Sequence, residues 1–249
     1  MKLNVGIRDL GRGTNINTIV VPEKLRHRVK TGLKFFDDAV ADGLVPSTVM
    51  MLTGTPGAGK TTMLLQLADS ITRQGHICLY NTGEESLYQV KMVSERLGLR
   101  TGFVCGQDTM VSDLLDHADY LREKNPGKQV FILQDSLQTL DDGKYKDGGT
   151  NSVTPLRCAE LITEWAKTTF ANVIFIGQVN KDGNFNGKNA ILHAIDVRGS
   201  LYVDNDKKSE TYGERIFEVT KNRYGSAGSA HVLGISERGL YERGTVSFN

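Results

Sequence analysis

Between residues 48 and 178, short apolar runs alternate with amphipathic stretches. TVMMLTG (48–54) is apolar up to its closing glycine, the pattern of a strand buried on both faces. Residues 60–74 follow with Met63, Leu64, Leu67, Ala68 and Ile71 at helical spacing, and Gly75 closes them. ICLYNT (77–82) reads as a strand. Ser86 stands where a helix cap belongs, ahead of Leu87, Val90, Val93 and Leu97 on one helical face, and Gly98 ends that helix. GFVC (102–105) reads as a short strand, 111–123 as a helix and QVFILQD (129–135) as a strong strand. Thr154 and Pro155 open a helix running to Phe170, a cap followed by proline at the first position, and NVIFIGQ (172–178) is a further buried strand. Strand and helix in alternation predict parallel βαβ units with right-handed crossovers.

After residue 195 the pattern changes. DVRGSLYVDND, ERIFEVTKNRYG and AHVLGISERGLYE read as antiparallel strands joined by turns. The expected fold is α/β: a mainly parallel central sheet with helices on both faces, ending in an antiparallel β-meander. Residues 1–30 would form an arm ahead of one domain, 31–249. Two polar stretches rich in Gly and Asn, 141–153 and 180–190, each follow the C-terminal end of a strong strand, where open α/β sheets bind ligands.

Composition adds limits. An apolar content of 39% and a charged content of 24% over 249 residues are those of a globular protein. A net charge of +1 excludes a strongly basic nucleic-acid coat but leaves room for local basic loops. The charge is uneven: residues 1–30 carry +5 and the remainder −4. That basic arm is either a solvated tail or a segment that docks on a neighbouring subunit or a phosphate backbone. There is no run of 18 apolar residues and no apolar N-terminal core of signal-peptide length, so neither a membrane span nor export is expected, and the location is cytoplasmic. Cys78, Cys105 and Cys158 lie far apart with no CxxC pair, which predicts buried thiols in a reducing compartment and no zinc site.

The chemistry centres on GTPGAGKT (54–61), a full GxxxxGK[ST] match between an apolar strand and a helix. Gly54, Gly57 and Gly59 let the backbone curl around Thr55, Pro56 and Ala58 so that the loop's N–H groups point inward, and the helix that follows, with Thr62 in its first turn, presents its positive end to phosphates. Lys60 would neutralise the β/γ charge of ATP, and Thr61 would offer its hydroxyl to Mg²⁺. The Mg²⁺ shell also needs a carboxylate. Asp135, at the exit of an apolar strand, meets that need. Glu84 and Glu85 directly follow strand 77–82; one of them can reach the γ-phosphate to orient water, and Glu84 is assigned as the base.

Four segments together, TGLKFFDDAVADGLVPSTVMMLTGTPGAGKTTMLLQLA (31–68), LYNTGEESLYQVKMVSERLGL (79–99), LQDSLQTL (133–140) and KNRYG (221–225), resemble the ATPase core of the RadA/Sms family of RecA-type recombination helicases. The resemblance covers residues 25–243 and implies a RecA-like P-loop fold. It also implies roles: Glu84 as catalytic glutamate, Asp135 as the Mg²⁺-associated aspartate, and Gln178 as the sensor of the γ-phosphate. Lys221 and Arg223 would be the lysine and arginine finger that reach a neighbour's nucleotide in a hexameric ring. The sequence departs from that family in lacking a four-cysteine zinc module and a Lon-like domain, and in carrying Gln rather than His at 178.

The leading expectation is a Mg-ATP-driven motor on single-stranded DNA, working as a homo-oligomeric ring. Lys144, Lys146, Lys181 and Lys188 would meet phosphates, and Tyr145 or Phe185 would stack on a base. The alternatives are a KaiC-like ATPase switch acting on protein partners, and a recombination mediator that binds DNA without moving along it.

Overall fold

A computed structural model describes residues 15–145, 149–178 and 190–247. The helices are α1 (Lys34–Ala39), α2 (Lys60–Arg73), α3 (Leu87–Leu97), α4 (Val111–Lys124), α5 (Thr154–Thr169) and α6 (Ala190–Ala194). The strands are β1 (Val49–Gly54), β2 (Ile77–Thr82), β3 (Val104–Gly106), β4 (Val130–Asp135), β5 (Asn172–Ile176), β6 (Val197–Val203), β7 (Arg215–Asn222), β8 (Ser229–Ser236) and β9 (Gly239–Ser247). They form one sheet in the order β3-β2-β4-β5-β1-β6-β7-β8-β9.

Alternation along the central strands explains the two layers. Met50 and Leu52 of β1 join Tyr80, Phe131, Leu133 and Ile174 on one face, under Leu64, Leu67 and Ile71 of α2. Val49 and Met51 join Leu79, Ile132, Val173 and Phe175 on the other, under Leu114 and Ala118 of α4 and Ile162 and Ala166 of α5. With both faces covered, every side chain of these strands must be apolar or satisfied, hence the continuous apolar runs. Helix α3 forms as its ends predict: Ser86 and Gln89 make a reciprocal capping box, and Gly98 stops the helix at φ 72°.

The sequence expectations need four corrections. The antiparallel group begins at β6 as expected, but β6 also extends the parallel part of the sheet. β6 runs parallel to β1, with Met50 opposite Val197 and Gly54 opposite Leu201, and only β6–β7, β7–β8 and β8–β9 are antiparallel. Strand β5 ends at Ile176, two residues before Gln178. Thr154 is the first residue of α5 rather than its cap: the Asn151 side chain accepts the N–H groups of Val153 (2.9 Å) and Thr154 (3.2 Å). Finally, Cys78 and Cys158 are buried, with burial pushing the Cys158 thiol up to about 12, but Cys105 is only half-buried. No helix among the described residues is long and apolar enough to cross a membrane.

Candidate active site

The phosphate loop joins β1 to α2 at the C-terminal edge of the parallel strands. Close packing sets its shape: a Cβ on Gly54 would lie 1.8 Å from the Leu201 carbonyl oxygen of β6, so only glycine fits there. Gly59 precedes α2 at φ 107°. The antiparallel strands clamp the loop from outside. Arg215 Nε of β7 donates to the Ala58 carbonyl (3.0 Å), and Gln66 of α2 exchanges two hydrogen bonds with the backbone of Leu240. The C-terminal meander therefore stiffens the loop that the first strand begins.

Lys60 opens α2, and its Nζ donates to the carbonyls of Gly54 and Thr55, both at 2.9 Å. Burial pushes this amine below its ordinary pKa, against the pull of Asp135 and Glu84. Thr61 Oγ1 donates to Asp135 Oδ2 at 2.6 Å, which brings the two expected Mg²⁺ ligands together. Thr62 follows in the first turn of α2. Asp135 is 8% exposed, and burial pushes its carboxyl above the usual range despite hydrogen bonds from Thr61 and Tyr80.

Glu84 completes the cleft, a space of about 280 Å³ whose walls include Gly54, Pro56, Lys60, Thr61, Asp135 and Gln178. Glu84 Oε1 accepts from Ser136 Oγ (3.1 Å) and from Gln178 Nε2 (3.4 Å). The expected base and the expected sensor are thus in direct contact. Glu85 is not part of that wall. One of its carboxylate oxygens is buried without a hydrogen-bond partner among the described residues, and its carboxyl is pushed up by burial, then by Asp135 and Glu84. Ser136, Tyr80 and Gln138, whose side chain accepts the Gln178 N–H at 3.4 Å, were missed in the sequence. Position alone pointed to Ser136, which directly follows Asp135 at the strand exit.

The charge count of this cleft shows what fits it. Among the described residues, Asp135 and Glu84 face a single lysine in the cleft, and a triphosphate would add more negative charge. A divalent cation on Thr61 and Asp135 would offset part of that excess, and the paired hydroxyl and carboxylate are oxygen ligands of the kind Mg²⁺ takes. A larger cavity, about 410 Å³, lies at the opposite sheet edge beside Lys24, Arg122 and Phe170, but it gathers no comparable set of converging groups.

Two outcomes separate the roles within the cleft. Glu84→Gln is expected to bind ATP and lower kcat by roughly 10²-fold or more, the range of general-base loss, while Glu85→Gln stays near wild type. An inactive Glu85→Gln beside an active Glu84→Gln would reverse the assignment. Asp135→Asn should abolish hydrolysis yet raise the melting temperature of the ligand-free protein at neutral pH. The sign follows from the raised carboxyl: a group held above its unfolded pKa favours the fold at low pH and loses that contribution as pH rises, so at neutral pH the buried charge is a cost. Relieving about 1 kcal/mol would raise Tm by about 2–4 °C in a domain of this size, measurable by scanning calorimetry. A lower Tm would contradict the burial argument.

Lys221 and Arg223 sit elsewhere. β7 runs against β6, so Asn222 pairs with Val197, which itself pairs with Met50, at the N-terminal end of β1. Both cations therefore lie at the sheet edge opposite their own phosphate loop. Of the expected nucleic-acid contacts, Lys144 is exposed, and Tyr145 is 41% exposed. The Tyr145 hydroxyl accepts from Asn151 Nδ2 (2.7 Å), and its ring lies 5.7 Å from the Arg157 guanidinium, so the chain itself holds this ring in place. Lys146, Lys181, Phe185 and Lys188 fall outside the described residues.

Comparison with known proteins bears on the family and the fold. The profile of the family described as "ATPase: KaiC" matches residues 29–241. DNA repair protein RadA of Haemophilus influenzae is 33% identical over 216 residues, covering 86% of this chain and 44% of that protein. The Escherichia coli protein of that name gives the same figures, and the Bacillus subtilis one is 30% identical over 216 residues. The chain spans less than half the length of these relatives. Among solved structures, a DnaB-like replicative helicase, described with its interactions with primase, superposes with a TM-score of 0.72 at 16% identity. That match covers 84% of this chain and 61% of the other, and at such identity it is a likeness of fold.

Proposed function

The chain belongs to the KaiC-type family of RecA-like ATPases, and from that premise we propose that it is a Mg-ATP-hydrolysing motor acting on single-stranded DNA as a ring of identical subunits, in DNA repair or recombination. In this reading Lys60 and the inward N–H groups of residues 54–61 hold the β- and γ-phosphates, and Thr61 and Asp135 hold the cation. Bound Mg²⁺ would supply charge neutralisation on the β/γ oxygens. Glu84, steadied by Ser136 and Gln178, orients and deprotonates the attacking water. Gln178 leads directly into the segment carrying Lys181, Phe185 and Lys188, so a change at the γ-phosphate has a short covalent route to the expected DNA contacts.

The observation that carries the ring is the split of the catalytic groups between two edges of one sheet. Phosphate loop, Asp135 and Glu84 occupy the C-terminal edge, while Lys221 and Arg223 occupy the N-terminal edge. A second copy that brings its N-terminal edge to the first copy's cleft would complete the site, and repetition of that head-to-tail contact gives a ring where the rotation between copies closes. The similarity to RadA proteins supports DNA as the substrate of the motion.

The KaiC family match favours one second reading, an ATPase switch that answers to protein partners rather than DNA. Hydrolysis measured with and without single-stranded DNA separates the two. The motor predicts stimulation by DNA, and binding that weakens steeply with salt as phosphate contacts are lost. Turnover indifferent to DNA, together with no measurable single-strand binding at low salt, would remove the motor and leave the switch.

A further inference from the structure

Asp196 stands between α6 and β6, its side chain 1% exposed. One carboxylate oxygen, Oδ2, accepts the Val49 N–H at the start of β1 (3.0 Å) and pairs with Lys167. The other, Oδ1, accepts from Arg223 Nη1 (3.3 Å) and from the Tyr224 hydroxyl (3.4 Å). Its backbone carbonyl accepts the Arg223 N–H at 3.1 Å. The far end of the guanidinium, Nη2, donates to the His193 carbonyl of α6 at 2.7 Å. Lys221 Nζ is held in the same place by the carbonyls of Leu192 (2.6 Å) and Ile195 (2.7 Å).

Two features set this cluster apart from an ordinary buried ion pair. Lys167 alone is enough to neutralise Asp196, yet the carboxylate also spends its second oxygen on Arg223 and Tyr224. Arg223 nonetheless remains 46% exposed, so the guanidinium is gripped along one side and open along the other. An arginine that must meet a phosphate in another subunit gains from being held in one orientation beforehand, because each free rotamer lowers the share of molecules poised to react. The Val49 contact ties that orientation to the sheet that carries the phosphate loop.

We propose that Asp196 is the positioning residue for Arg223, holding the guanidinium of one subunit in the orientation in which it meets the nucleotide of the next. The inference rests on the reading of Arg223 as a finger acting between subunits. Asp196→Asn is expected to lower ATP turnover on the order of 10²-fold, the effect of a misplaced catalytic group, with nucleotide affinity unchanged. Because Asp196→Asn leaves the Lys167 charge without its partner, the double variant Lys167→Met/Asp196→Asn, which removes both charges, is measured beside it; calorimetry and mass photometry select the variant that folds and assembles. Mixing supplies the readout that a purely structural role would not move. An Asp196→Asn subunit keeps its own cleft, so Lys60→Ala subunits, which keep a correctly held Arg223, should restore turnover in a mixture. Arg223→Ala subunits should restore none. Three results would overturn the inference. Near-wild-type turnover of the assembled variant beside an inactive Arg223→Ala removes Asp196 and leaves the finger standing. Failure of Lys60→Ala subunits to restore turnover assigns Asp196 to the fold alone. Wild-type activity of Arg223→Ala itself removes the finger, and this inference with it.

Discussion

Arg223→Ala is expected to lower kcat by about 10³-fold or more while nucleotide affinity per subunit changes little. The size is that of arginine fingers, which stabilise charge developing on the transferred phosphoryl group rather than charge already present in bound ATP. The sheet register sets Arg223 away from its own phosphate loop, so an effect of this size would have to arise between subunits. Asn222 lies level with Met50, four residues before Gly54, and at the strand rise of 3.3 Å per residue this is ~13 Å on the far side of the strand from the phosphate loop. The intervening sheet separates Arg223 from its own cleft. The check is steady-state hydrolysis together with equilibrium binding of a labelled nucleotide. An equal loss of affinity and turnover would mean that Arg223 holds the ground state or the fold.

Lys60→Ala is expected to abolish measurable hydrolysis and to weaken ATP binding by ~10²-fold, about 2.7 kcal/mol. Among the described residues the cleft holds two carboxylates and this one lysine, so its loss leaves the phosphates facing Asp135 and Glu84 without the loop's cation. Stability should not fall with activity. Burial holds the amine below its ordinary pKa, so the folded state disfavours the charge it carries at neutral pH, and removing the amine costs two bonds to the loop carbonyls but also removes that penalty. Scanning calorimetry should show a Tm equal to or above that of the unaltered protein. A Tm several degrees lower would mean that the loop needs Lys60 for its shape, and the loss of activity would then have another cause.

What the sequence disclosed and what it concealed follow from how local each feature is. The phosphate loop, the Ser86 cap of α3 and the buried strands β1, β2, β4 and β5 were legible because each is fixed by neighbours within a few residues. Asp135 was legible because the loop demands a carboxylate and only a strand exit supplies one there. The parallel pairing of β6 with β1, beside its expected antiparallel pairing with β7, was not legible because it depends on a crossover, not on its own residues. The contacts of Glu84 with Ser136 and Gln178 join three different strand ends, and no spacing rule relates them. Asp196 was invisible for the same reason: its partners Val49, Lys167 and Arg223 come from distant parts of the chain.

One mixture tests the shared site most directly. Lys60→Ala subunits keep Arg223 but have a dead cleft, and Arg223→Ala subunits keep a working cleft but lack the finger. If the site is completed between copies, equal amounts of the two should hydrolyse ATP well above the sum of the separate variants, with co-assembly established by mass photometry. If co-assembled mixtures are no more active than that sum, the cleft does not borrow Arg223 from a neighbour, and the ring motor loses its structural basis.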